Sequence, residues 1–202
     1  MNNNKITFAI GGIVIGLILG MIVSPMMRGN PAPSNNISDS SAKTVGVSAL
    51  DRHFIEQMIP HHEGAIAMAN LALEKAKRPE IKALAQAIVG AQESENQQMK
   101  SWYKDWFGKN VPKGSAMMGG MMSQGGMHMG GSEDLTALQN ATDFDKVFIE
   151  QMIPHHQMAI MMARMLESGS EKPEMQQLAK NIISSQTKEI QDMQSWYSTW
   201  YK

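Results

Sequence analysis

The chain has 202 residues, with 18 Lys+Arg against 19 Asp+Glu, no cysteine and 20 methionines. The charge balance argues against nucleic acid as a partner, because phosphate binding rests on a basic excess. Absent cysteine excludes disulfides, thiolate zinc sites, cysteine catalysis and a cysteine-linked lipid anchor. Any soft-metal chemistry must therefore use thioether and imidazole.

In chain order, Ile6 to Val23 is an apolar run of eighteen residues, preceded by Lys5 and closed by Ser24, Pro25 and Arg28. Such a run is long enough to cross a bilayer. The nearest small-x-small cleavage pattern, Ser40 to Ala42, lies far downstream, so residues 1–28 read as an uncleaved signal-anchor transmembrane helix rather than a removed signal peptide. Gly12, Gly16 and Gly20 fall on one helix face, where backbones of a homo-oligomer could approach, although glycine is also simply common in membrane helices. Lys5 and the N-terminal amine favour a cytoplasmic N-terminus. The remainder is then expected in the cell envelope, periplasmic or on the outer face of the inner membrane. Residues 29–47, rich in Pro, Ser and Asn, read as a flexible tether.

The rest is organised by a duplication. A shift of 94 aligns Asp51 to Phe107 with Asp145 to Tyr201 without a gap, close to half the positions being identical. FIEQMIPHH begins at Phe54 and again at Phe148, and QxxExxxMxSWYxxW begins at Gln92 and again at Gln186. Each copy, 48–107 and 145–202, reads as two helices separated before Pro79 or Pro173, since proline is tolerated in a first helical turn. Pro60 and its duplicate remove a backbone bond just ahead of the histidines, where a kink is expected. Phe54, Met58, His61, His62, Ala65, Met68, Ala69 and Ala72 share one broad face of the first helix, and Leu84, Ile88, Gln92, Glu95, Met99, Trp102 and Trp106 one face of the second. Neither hairpin can bury both stripes alone, so the expected architecture is all-α, a four-helix bundle of two tandem hairpins.

If each hairpin turns midway through its connection, equal rise per residue sets Met58 opposite Met99, His62 opposite Glu95 and Ala65 opposite Gln92, with Met152, His156 and Ala159 opposite Met193, Glu189 and Gln186. A buried carboxylate needs a partner, and a facing histidine supplies one. The histidine pairs can be core imidazoles bonded to Glu95 and Gln92, or metal ligands. Adjacent helical residues diverge by about 100°, so His61 and His62 are not expected to grip one ion symmetrically. Instead His61 would join Met68, and His62 would join Met58 and Met99, nitrogen and sulfur suiting a soft ion. The tryptophans read as closure of the bundle end.

In the second copy Met158, Met161 and Met165 project away from the proposed core, where the first copy has Gly64, Ala67 and Leu71. Such a stripe could pack against a partner or hold a soft cation. Between the copies, residues 108–144 form a Met/Gly-rich linker. Met117, Met118, Met121, Met122, Met127, His128 and Met129 are embedded there in glycine and serine, where no core can be built. Clustered neutral thioethers favour copper(I), with silver(I) as its mimic, because they match a soft cation and carry no proton that must leave. The bland alternative is a spacer.

The string F-I-E-Q-M-I-P-H-H, followed by Ala-Ile at Ala65 or Ala159 and later by QxxExxxM, resembles the bacterial family called domain of unknown function 305. The resemblance spans roughly residues 48–202. It implies a ferritin-like bundle in envelope or secreted proteins, some associated with copper binding and resistance. Carried over by position, it implies Met58, His61, His62, Met68, Glu95 and Met99, with Met152, His155, His156, Met162, Glu189 and Met193, as family-type sites. The expected function is a membrane-anchored copper(I) binder that sequesters copper or hands it to a partner protein. The alternatives are a metal-free helical scaffold and a dinuclear oxidase. The oxidase requires Glu-x-x-His spacing, and Glu95 has Gln98 there. No nucleophile or oxyanion arrangement is evident, so no enzymatic activity is expected.

Overall fold

A computed structural model describes residues 48–112 and 132–202. The proposed membrane segment with its glycine face, the tether, and the linker candidates Met117, Met118, Met121, Met122, Met127, His128 and Met129 lie outside the described residues. Among the described residues, five helices follow in order: α1 (Ala49–Lys75), α2 (Pro79–Phe107), α3 (Ser132–Gln139), α4 (Phe144–Gly169) and α5 (Pro173–Trp200). Among the described residues there is no strand, and no helix is long and apolar enough to cross a membrane.

Local sequence sets the boundaries. Ser48 and Asp51 form a capping box at α1, the serine Oγ accepting from the Asp51 amide at 3.0 Å and the carboxylate accepting from the Ser48 amide at 3.0 Å. Pro79 and Pro173 open α2 and α5, where a missing N–H costs nothing. Asp143 caps α4 by accepting from the Lys146 amide. Gly108 closes α2 with a φ of 66°, a left-handed conformation that suits a residue lacking Cβ. The helix continues through both Pro60 and Pro154. The short α3 lies in the stretch read from sequence as linker, and buries Leu138 completely.

α1 packs along α2, and α4 along α5, giving two hairpins; the hairpins meet chiefly through α1 and α4. Ala65, Ala69 and Ala72 on α1 and Ala159 and Ala163 on α4 are fully buried, and side chains this small let the two backbones approach. The contacts at the ends are reciprocal. Arg78, in the first hairpin's turn, lies 4.0 Å from the Trp200 ring centroid, and Lys172, in the second turn, lies 4.6 Å from that of Trp106. Each turn thus sits at the far end of the other hairpin. Asp145, buried at the start of α4, accepts from the backbone amides of Lys77 and Arg78 at 3.0 and 2.9 Å.

Two hydrophobic clusters divide the interior. One gathers Met68, Ile81, Ile88, Leu138, Phe148, Met152 and Met193 with their neighbours, and the other gathers Phe54, Met58, Met99, Tyr103, Leu166, Met175 and Ile182 with theirs. On α1, α2 and α5 the residues of one cluster precede those of the other with polar residues between, and α4 follows the same pattern except that Ile160 joins the first cluster. The stacked pairs Trp102–Trp106 and Trp196–Trp200 pack on the outside of these clusters, consistent with a closing role.

The Asp145 carboxylate ties α4 to the first hairpin's turn, so Asp145→Ala should destabilise the protein by about 2–3 kcal/mol, as expected for paired hydrogen bonds to a charged group. Glu63→Ala, which removes an exposed partner of Lys100, should cost under about 0.5 kcal/mol. Urea denaturation of both variants checks the contrast.

Candidate metal centre

The polar residues between the clusters form a layer across the middle of the bundle. α1 contributes His61 and His62, α2 contributes Gln92, Glu95 and Asn96, α4 contributes His155 and His156, and α5 contributes Gln186 and Glu189. All four imidazoles are buried, none being more than 1% exposed. The two carboxylates are the more open members, each with 17% of its side chain exposed.

The histidine–glutamate facing expected within each hairpin is observed. His62 Nε2 lies 2.7 Å from Glu95 Oε2, and His156 Nε2 lies 2.6 Å from Glu189 Oε2. Met58 and Met99 share one hydrophobic cluster, and Met152 and Met193 share the other. Spacing within a single hairpin does not reach the contact between them: the His61 and His155 rings meet in a tilted arrangement across α1 and α4, with centroids 3.8 Å apart and planes inclined by 44°. The histidines therefore form one cross-repeat cluster rather than two separate ones.

Hydrogen bonding in this layer is incomplete. Both ring nitrogens of His61, the Nδ1 atoms of His62 and His156, and the side-chain oxygens of Gln92, Asn96 and Gln186 are buried without a hydrogen-bond partner. Buried polar atoms are ordinarily satisfied, and a concentration of exceptions in one layer marks a place where a ligand would fit. Asn96 was not among the sequence candidates. Its only sequence sign is its place four residues after Gln92, and its duplicate is Ile190.

Burial pushes His61 down from 6.5 to about 3, and the neighbouring His62 and His156 push in the same direction. Its imidazole is therefore neutral at neutral pH, with a lone pair to offer. Among the described residues, no group of three or more histidine, aspartate and glutamate side chains converges on one point. The layer offers instead pairs of imidazoles, each backed by a carboxylate on a neighbouring helix.

The other candidates divide by depth. Met68 is buried in the cluster with Ile81, and Met162 is partly buried against the cluster with Met175. Met161 and Met165 are exposed, and Met158 is half-buried.

The depressed His61 value fixes a pH dependence. The unfolded chain takes up this proton near pH 6.5 and the folded chain only near 3, so the stability present above 6.5 is lost as pH falls toward 3. The metal-free protein should show a falling denaturation midpoint across that window, with a smaller slope in His61→Gln. Equal slopes in both proteins would contradict it.

Among solved structures, CopM in its Cu(I)-bound form superimposes with a TM-score of 0.65 at 47% identity, covering 75% of this chain and 98% of that one. CopM also has Ag-bound and Cu(II)-bound forms that match similarly. A DUF305 fragment from Deinococcus radiodurans, at 24% identity and a TM-score of 0.62, covers 76% of this chain and 99% of its own length, and shows the shared fold. An uncharacterized protein, L153, of Acanthamoeba polyphaga mimivirus is 45% identical over 51 residues, a match that spans 34% of its length. Residues 51–197 match the model of the domain of unknown function (DUF305), and with this extent of agreement the chain belongs to that family.

Proposed function

We propose that this protein binds copper(I), and silver(I) as its mimic, in the histidine layer of a ferritin-like four-helix bundle. The observation that carries the reading is the set of buried imidazole nitrogens left without hydrogen bonds between two hydrophobic clusters. The CopM forms with Cu(I) and Ag bound support it.

The donor set fits the ion. Copper(I) and silver(I) accept few ligands, so pairs of imidazoles can serve them without a third carboxylate or a thiolate. Zinc prefers four ligands and gains little from thioether. His61 and His155 would hold the ion across the repeats, with His62 and His156 beside them. Glu95 and Glu189, bonded to Nε2 of His62 and His156, fix the ring orientation and leave Nδ1 as the free donor. A neutral imidazole needs to lose no proton on binding. The buried methionines next to the layer keep water out.

In this reading copper is cargo, and no bond of a substrate is made or broken. The N-terminal apolar run would hold the bundle at the outer face of the inner membrane, and the Met-rich linker would add capture capacity. The protein would lower free copper(I) in the envelope, either retaining it or handing it to a partner protein.

Copper(I) and silver(I) titrations of the full-length chain against a competing chelator provide the test. His61→Phe/His155→Phe should abolish binding in the histidine layer while leaving helicity intact. Glu95→Gln/Glu189→Gln should weaken it by about 10–100-fold, the usual effect of removing a partner that orients a ligand. Zinc should not displace copper(I). Unchanged stoichiometry and affinity in the histidine variant, or stoichiometric displacement by zinc, would overturn the reading.

A further inference from the structure

The four imidazoles of the layer are buried, and the outer side of α4 carries soft donors that an ion could meet first. Met158, Met161, Met162 and Met165 follow steps of three and four, which at about 100° per residue gathers them within an arc of about 100°. Side chains three and four positions apart on a helix have Cβ atoms about 5–6 Å from each other. Methionine adds three rotatable bonds, so neighbouring sulfurs can converge on one ion.

Exposure is graded along this arc. Met165 is 53% and Met161 43% exposed, and these are the large hydrophobic side chains left exposed among the described residues. Met158 is half-buried, and Met162 leans on the hydrophobic cluster that borders the histidines. His155, three residues before Met158 and on the same edge of the arc as Met162, is fully buried.

Core packing does not account for the outer pair, because neither side chain is buried. Duplication does not account for it either. Gly64, Ala67 and Leu71 occupy the corresponding places in the first copy, and its single matching methionine, Met68, is buried. The surface thioethers belong to the second copy alone.

We propose that Met158, Met161, Met162 and Met165 form a second site for monovalent copper or silver, which receives the ion at the surface and delivers it to the buried histidines through His155. The delivery step rests on the copper reading of the histidine layer; the surface site does not. Transfer is ligand exchange: a thioether–metal bond breaks as an imidazole–metal bond forms, and the ion keeps its single positive charge. Thioether carries no proton, so loading at the surface releases none.

The test uses the full-length chain with carbon-13 in the methionine methyls and histidine rings, and silver(I) nitrate as the probe. The methyl signals of the four residues should shift on the first additions, and should still shift in His61→Phe/His155→Phe. Met158→Leu/Met161→Leu/Met162→Leu/Met165→Leu keeps apolar volume and should fold. Its histidine signals should reach the same end point, but several-fold more slowly when silver is supplied from a chelator complex. Methyl signals that stay unmoved while the histidines respond would overturn the surface site and leave the histidine reading standing. Methyl shifts without any histidine response would sustain the surface site and remove the histidine reading and delivery together. Loading of the leucine variant at the unaltered rate would overturn delivery.

Discussion

Everything in this bundle is arranged around the burial of four imidazoles at its midpoint. A polar layer between two hydrophobic clusters is costly, because each ring gives up its hydration and several ring nitrogens receive nothing in return. Glu95 and Glu189 offset part of that cost, each from the helix facing its histidine. Their partial exposure matters: a carboxylate that keeps some water loses less than one wholly buried, while its bond to the ring still reaches inward. The hairpin register follows from this pairing. Sliding α2 by one turn would leave His62 without Glu95 and place a carboxylate among apolar side chains.

The same constraint explains where the two copies agree and where they diverge. The copies share the Pro-His-His step, the facing glutamate and the methionine four residues after it. Elsewhere the copies separate. Asp145 reaches across to the amides of the first hairpin's turn, whereas its counterpart Asp51 turns back to cap its own helix. Asn96 extends the polar layer on α2, where α5 has Ile190. Duplication supplied two halves able to bury each other's stripes. Later divergence gave the halves different surfaces, of which the methionine side of α4 is the clearest.

Much of this was legible in the sequence because it is local or periodic. The repeat, the prolines that start α2 and α5, the inward stripes and the facing of His62 with Glu95 all follow from helix geometry and a turn position. The contact of His61 with His155 was not legible, because spacing within one hairpin says nothing of how two hairpins dock. The buried alanines of α1 and α4 carry little signal of it, because any helix tolerates alanine. Pairing each histidine with a methionine was the natural expectation within one hairpin. The observed cross-repeat ring contact shows that the closest imidazole neighbours came from the other copy. Asn96 was missed because a lone amide on a long polar helix looks like a solvated residue. The short α3 was missed because its eight residues adjoin a glycine-rich stretch.

The main chain is also altered at the turn that carries the histidines. Pro60 and Pro154 lie immediately before the histidine pairs and cannot donate to the carbonyls of Glu56 and Glu150 one turn earlier. The helical ladder is therefore interrupted at the turn that presents the imidazoles. Those two glutamates accept from Tyr103 and Tyr197 on the facing helices, at 2.5 and 2.6 Å, so side chains tie the helices together where the backbone ladder is weakest. The glutamate bond raises both phenols above their ordinary range, together with burial, which comes first for Tyr103. Both phenols hence remain protonated donors at physiological pH. The turn that presents the imidazoles is thus held in each copy by a tyrosine–glutamate tie between facing helices, beside the one backbone bond that proline removes.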